Sequence, residues 1–256
     1  MWEVKPVTFG KPRRDYDTIT STQDIAREWV ERDGLKATGG VVTARAMTAG
    51  RGRLGRTWHV PPGSNVCLTA IGPPVEAART WQIALLGGVV VAHAINAVAG
   101  FFPRVRFPND VYASGRKLAG ILVETVPAWL PGQVVPLVGI GVNVNVAPDE
   151  LPLELRDRAT SVQAETGATK SVDVFTNAVL RFLSDEWSLW QTAGFHLVLE
   201  KWRKLADLDA FRAFILNGEE VSCRVISIEL NGNVTLETPT GETVGVPAPQ
   251  IIFGDD

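Results

Sequence analysis

The segment Gly50-Arg51-Gly52-Arg53-Leu54-Gly55-Arg56 interleaves three arginines with three glycines. A guanidinium offers two parallel N–H donors to a phosphate or carboxylate, and glycine lets the backbone bend around a ligand and turn its amides inward. The run therefore reads as an anion cradle, although a plain solvated turn or an RNA-contacting segment has a similar composition. Its spacing excludes two common nucleotide loops. No GxxxxGK[ST] occurs, and strand-like sequence lies on both sides of the run where a dinucleotide fingerprint needs a helix behind it.

Two further clusters carry chemistry. Arg106-Phe107-Pro108-Asn109-Asp110 precedes Arg116-Lys117-Leu118-Ala119-Gly120-Ile121-Leu122-Val123-Glu124. A β-hairpin with a polar turn explains the first part but leaves Lys117 beside a long apolar run. Desolvating an ammonium there costs several kcal/mol, on the order of the penalty for any buried ion, unless an anion meets it. In Gly139-Ile140-Gly141-Val142-Asn143-Val144-Asn145, the glycines permit close backbone approach and an asparagine can meet a base, a ribose or a metal-bound oxygen.

The elements that must hold these clusters can be read from periodicity. Ser21 offers an N-cap hydroxyl to a helix with Ile25, Ala26, Trp29 and Val30 on one face, ending near Asp33-Gly34. Residues 40–44 and 65–70 read as strands flanking the glycine and arginine loop. Trp81 to Phe102 carries no charged side chain and has the length of a membrane span. The polar positions Gln82, His93 and Asn96 and the pair Gly87-Gly88 argue instead for a core helix. Ser114-Gly115 is a hairpin turn, and Val134 to Val146 a further strand. Helical spacing runs from Val172 to about Asp209, with Phe175, Val179, Phe182, Leu183, Glu186 and Trp190 on one face. From Glu220 to Ile252, short β-branched runs are separated by Asn231-Gly232-Asn233 and Thr240-Gly241-Glu242, the pattern of a small all-β module.

A chain of 256 residues, 45% hydrophobic and 21% charged, can bury a full core. Its net charge of −3 argues against general nucleic-acid binding, which needs surplus basic charge. Cys67 and Cys223 lack the spacing of a disulfide framework or zinc site and suit a reducing cytoplasm. The start, Met1-Trp2-Glu3-Val4-Lys5, lacks a secretory apolar core.

Taken in order, Ser21-Thr22-Gln23, the stretch from Ala49 to Trp58, Pro108-Asn109-Asp110, the stretch from Arg116 to Glu124 and the stretch from Gly139 to Asn145 resemble the motifs of the biotin protein ligases. The resemblance implies an α+β fold: a mixed, largely antiparallel sheet with packed helices, class II synthetase-like, over 1–214, and a small SH3-like β-barrel over 215–256. It implies two steps, in which the biotin carboxylate attacks the α-phosphate of ATP with Mg2+ and a carrier lysine then displaces AMP. Lys117, Arg53 and Asp110 are the expected catalytic residues, with turn stabilisation an alternative role for Asp110. Ser21, Thr22, Met47, Gly50, Arg51, Lys117 and Gly120 would line biotin. Arg51, Arg53, Arg56, Trp58, Asn109 and Asn143 would bind ATP and the adenylate, and Asn143 would sit near the nucleotide or its magnesium. The implied partner is the apo biotin carboxyl carrier domain of a carboxylase such as acetyl-CoA carboxylase. The expected protein is a cytoplasmic monomer or homodimer, engaging neither membrane nor nucleic acid. The roughly twenty residues ahead of Ser21 are too few for the DNA-binding domain of the repressor members.

Three positions depart from the family. Met47 stands where a glutamine amide usually pairs with the ureido ring, a change worth about 1–3 kcal/mol if a buried partner is left unsatisfied. Arg106-Phe107 replaces lysine-tryptophan, and Gln23 replaces asparagine. A lipoate or other acyl ligase, and a non-catalytic biotin or nucleotide sensor, are the alternative readings.

Overall fold

The computed structural model describes residues 6–59, 61–216 and 218–253; the opening Met1 to Lys5 stretch discussed above lies outside them. The chain separates into two compact units, 1–205 and 206–256.

The strands of the first unit are β1 (Arg13–Ile19), β2 (Val41–Met47), β3 (Asn65–Ile71), β4 (Val75–Glu76), β5 (Arg104–Arg106), β6 (Asp110–Ala113), β7 (Arg116–Pro127) and β8 (Gln133–Asn143); β3, at the centre, is buried at every position. They join in one sheet in the order β1-β2-β3-β8-β7-β6-β5, with β4 also on β8. Among the described strand pairs of this sheet, only β1 and β2 run parallel. The helices are α1 (Thr22–Asp33), α2 (Thr80–Ala99), α3 (Val162–Thr166), α4 (Val172–Ala193) and α5 (Phe195–Leu205).

Side-chain alternation along β7 and β8 divides the sheet into two faces. Val126 and Leu137 join Ala26, Trp29 and Val30 of α1 in one core cluster. Ile121, of opposite parity to Val126, lies against Gly87 of α2, where an added Cβ would come within 2.9 Å of its side chain. Gly120, Leu122 and Glu124 on β7, and Gly139, Gly141 and Asn143 on β8, thus share the α1 face. The helical pair α4 and α5 packs with α2 on the other. The apolar helix expected from Trp81 onward is α2. It is long and apolar enough to span a bilayer, but it is packed into this core, and Gln82 accepts a 2.8 Å hydrogen bond from Trp190 Nε1.

Local chemistry sets the ends of these elements. Ser21 Oγ accepts from Gln23 N at 3.2 Å to cap α1, and Gly34 closes it at φ 61°. Ser114 and Gly115, at φ 48° and 76°, form the left-handed turn that a two-residue hairpin requires. The single helical stretch expected from Val172 is divided at Gly194, φ 95°, into α4 and α5. Helical spacing continues through that point because both helices bury the same kind of face.

Glu186 on α4 is buried, with Lys201 Nζ at 2.7 and 2.9 Å from its oxygens and His93 Nδ1 at 3.5 Å. Burial would raise its carboxyl, but hydrogen bonding and charge from His93 and Lys201 outweigh it and hold the group below the usual glutamate range. A depressed carboxylate contributes stability that is present above the unfolded-state pKa, about 4.3, and lost as pH falls through the folded value. Melting temperature should therefore drop on acidification below about pH 4.3. Glu186→Gln should lower the melting temperature at pH 7 and flatten that acid limb; an unchanged limb in the variant would remove Glu186 as its origin.

The second unit holds β9 (Arg212–Leu216), β10 (Glu219–Ile228), β11 (Asn233–Glu237), β12 (Thr243–Pro247) and β13 (Ile252–Phe253), in the antiparallel order β12-β11-β10-β9-β13. Gly232 and Gly241, both at positive φ, make the two expected turns. Strand β9 pairs with β10 in this sheet, and the compact unit begins at Ala206. The expected barrel is an open sheet: no ladder joins β12 to β13 among the described residues, and β13 is only two residues long.

Candidate active site

The glycine and arginine run leaves β2 and folds into a narrow hairpin. Gly52 N donates to Arg56 O at 2.7 Å, Trp58 N donates to Gly50 O at 2.9 Å, and Arg51 bridges Thr57. Leu54 sits exposed at the tip with φ 56°. The returning strand lays Trp58 on the sheet: a Cβ added at Gly141 would come within 2.5 Å of its ring, and one at Gly120 within 3.3 Å. Close backbone approach, expected of the glycines in Gly139-Ile140-Gly141, is realised by an indole.

Lys117 Nζ lies 2.8 Å from Oδ1 of buried Asp110 and 6.0 Å from the centre of the Trp58 ring. The counter-charge demanded by a lysine beside an apolar run is thus the Asp110 carboxylate. Strand pairing places Asp110 opposite Gly120, so Lys117, Asp110, Gly120 and Trp58 meet at one point. Arg53 reaches the same neighbourhood, donating from Nη1 to Asn109 Oδ1 at 3.0 Å. Asn109 Nδ2 in turn donates to Ile121 O at 2.9 Å.

Arg51 points elsewhere. Its guanidinium binds Asp24 at 2.6 Å and Glu124 at 3.3 Å, and Glu124 also receives Arg27 at 2.9 Å. Burial alone would lower the Arg51 pKa, but the two carboxylates raise it, so the guanidinium is firmly charged. The hairpin is tied by this contact to the first turn of α1 and to β7. Arg56 is half-buried, its carbonyl engaged by Gly52.

At the start of α1, Ser21, Thr22 and Gln23 are all buried. Thr69 Oγ1 donates to Thr22 Oγ1 at 2.8 Å, and Thr22 Oγ1 faces Met47 Sδ at 3.9 Å. Met47 also flanks Gly50, where an added Cβ would lie 3.2 Å from its terminal methyl. Ser21, Thr22, Met47 and Gly50 therefore form one wall. Of the other departures, Phe107 stays buried at 6.3 Å from Trp202, and Arg106 lies flat on Tyr112 at 3.5 Å.

Asn143 is buried and donates to Thr160 O at 3.0 Å. Thr160 N donates to Lys117 O at 2.9 Å, and Lys117 N to Arg158 O at 2.8 Å, so Asn143 is linked to the lysine through backbone. Glu165, on α3, accepts from Ser114 and Thr160 at 2.6 Å each and from Arg116 at 3.1 Å, bracing both segments that flank Lys117. Burial would raise its carboxyl, but these donors and the Arg116 charge hold it low. Asp24, Glu124, Thr69, Thr160 and Glu165 are site partners with no motif of their own in the sequence; Glu124, an acidic residue within the apolar run of β7, carried the one visible signal.

The model of the biotin/lipoate A/B protein ligase family matches residues 16–145. The Bifunctional ligase/repressor BirA of Bacillus subtilis is 32% identical over 241 residues, covering 93% of this chain and 73% of the relative. The biotin–[acetyl-CoA-carboxylase] ligase of Paracoccus denitrificans is 32% identical over 221 residues, covering 83% and 90%. Biotin protein ligase from Aquifex aeolicus, solved in complex with biotin and ATP, superposes with a TM-score of 0.77 at 22% identity, covering 94% of this chain and 98% of that one, and so shares its fold. The antiparallel sheet with its packed helices is the architecture expected from the sequence, and the chain belongs to the biotin/lipoate A/B protein ligase family.

Proposed function

We propose that this chain is an ATP-dependent biotin protein ligase, a biotin–[acetyl-CoA-carboxylase] ligase that forms biotinyl-AMP and transfers biotin to a lysine of a carboxyl carrier domain. The observation that carries the reading is the Lys117–Asp110 pair at 2.8 Å beneath Trp58, at the foot of the arginine hairpin. In the first step the biotin carboxylate oxygen attacks the α-phosphorus, the bond to the β-phosphate breaks and pyrophosphate leaves. Lys117 supplies a fixed positive charge where negative charge grows on the α-phosphoryl and carboxylate oxygens, beside the Trp58 indole. In the second step the carrier amine attacks the acyl carbon, the C–O bond to AMP breaks and the amine gives up a proton; Asp110 is the carboxylate placed to orient that amine.

Arg53 and Arg56 serve the carboxylate and phosphates, Arg51 fixes the hairpin that carries them through Asp24 and Glu124, Asn109 and Asn143 serve the nucleotide, and Ser21, Thr22, Met47, Gly50 and Gly120 the acyl group. Among the described residues no group of three or more acidic, histidine or cysteine side chains is arranged to hold a metal ion. This donor set does not fit a resident magnesium, which enters instead as part of the MgATP substrate, held mainly by phosphate and water. The second unit, a five-stranded open sheet, is the counterpart of the family's small SH3-like module. The two buried free cysteines suit a cytoplasmic enzyme, and the net charge of −3 suits a protein partner better than nucleic acid.

Incubation with biotin, MgATP and an apo carrier domain should add one biotin to one lysine. Transfer of lipoate in preference to biotin, or ligand binding with no pyrophosphate release, would overturn the proposal in favour of a lipoate ligase or a sensor. Arg53→Gly removes the 3.0 Å tether to Asn109 and should let the adenylate escape. Acylation of a bystander protein should then rise about tenfold, the effect of losing one such hydrogen bond to a charged group. Unchanged acceptor selectivity in this variant would count against a protective hairpin.

A further inference from the structure

Gln23 is 3% exposed, and its amide is oriented by its partners. Nε2 faces Leu122 O at 2.9 Å and Leu137 O at 3.4 Å. Carbonyl oxygens accept and do not donate, so the nitrogen must lie on that side and Oε1 on the other. Oε1 is buried and has no hydrogen-bond partner. Leaving such an acceptor dry is costly, and native structures rarely do so without a reason. The placement is also built into the sheet: a Cβ at Gly139 would lie 2.6 Å from Gln23 Nε2, so only glycine at that position admits the amide. In the same register row Thr69 pairs with Gly139, and Thr69 bonds Thr22, which faces Met47.

We propose that Gln23 Oε1 is a specificity-determining acceptor that takes a urea N–H of the acyl substrate, supplying from α1 the contact that the Met47 thioether supplies poorly. The inference rests on the reading of this wall as the acyl site. A thioether is a weak acceptor, and the Thr22 hydroxyl is already shared with Thr69 and Met47, so Gln23 Oε1 is the strong acceptor at the start of α1 with no partner of its own. A ligand head carrying two urea N–H donors satisfies it; a dithiolane head, which has no donor, leaves it dry. A site built around a hydrogen bond rejects analogues that lack it far more strongly than an apolar pocket rejects a change of size.

The test uses the full chain, calorimetric affinities for biotin and for its two singly N-methylated urea analogues, and Gln23→Met, which keeps length and removes the acceptor. Wild type should bind one methylated isomer at least about tenfold more weakly than biotin. That penalty should shrink below about threefold in Gln23→Met, as expected for removal of one hydrogen bond between buried partners. An equal penalty in both proteins overturns the proposal. If the variant does not fold, a wild-type complex with biotin decides: Gln23 Oε1 within about 3.2 Å of a urea nitrogen supports it, and a separation beyond hydrogen-bond reach overturns it. Wild type that binds lipoate and not biotin overturns the ligase reading and this inference together. Biotin transfer with an unchanged methylation penalty overturns the inference alone.

Discussion

Lys117→Ala should slow adenylate formation by about 100- to 1,000-fold, the loss typical of removing one preorganised donor from a developing oxyanion. The side chain is a fixed charge, already paired with Asp110 at 2.8 Å and bordered by Trp58 and Gly120. It needs no reorganisation when charge builds on the phosphoryl oxygens. Biotin affinity should fall less than the rate, because part of the contribution is made only in the transition state. Lys117→Arg should recover little, since a planar fork cannot replace a compact ammonium against Asp110. Pyrophosphate release with circular dichroism as a folding control measures this, and a Lys117→Ala rate within about tenfold of wild type would remove the lysine from the chemistry.

Gly141→Ala should reduce kcat/KM for ATP by about 10- to 100-fold while leaving the melting temperature nearly unchanged, the scale expected when a site is displaced by about an ångström. Gly141 is not at positive φ, so its backbone admits a Cβ. The alanine methyl, however, would sit 2.5 to 2.7 Å from three atoms of the Trp58 indole, inside any real contact distance. The strand is held by ladders on both sides, so the indole must move. Because Trp58 N is bonded to Gly50 O, that movement passes into the hairpin carrying Arg51 and Arg53. A shift in tryptophan fluorescence that disappears in a Trp58→Phe background would confirm the route. Wild-type kinetics in Gly141→Ala would show that the indole does not shape the site.

Much of this site was readable in the sequence because it is written in contiguous runs. Ser21 announced a helix start and Ser114-Gly115 a left-handed turn, both where backbone chemistry alone is decisive. The glycines at 139 and 141 were readable as places of close approach but not by what, since Gln23 and Trp58 arrive from segments more than eighty residues upstream. The ties of Arg51 to Asp24 and Glu124, and of Glu165 to Ser114 and Thr160, were hidden for another reason. Each is a pairing of ordinary polar residues that carries no local pattern. Strand β9, Arg212 to Leu216, was not legible because five residues are too few to declare a strand until β10 pairs with them.

The most direct measurement is a single-turnover reaction without acceptor, mixing the protein with biotin and MgATP labelled in the α-phosphate. A burst of pyrophosphate and about one retained biotinyl-AMP per protein are expected, as for an enzyme that holds a reactive intermediate between two steps. Addition of an apo carrier domain should then discharge it as AMP and a biotinylated lysine. Biotin bound without any pyrophosphate release or labelled adenylate would contradict the account.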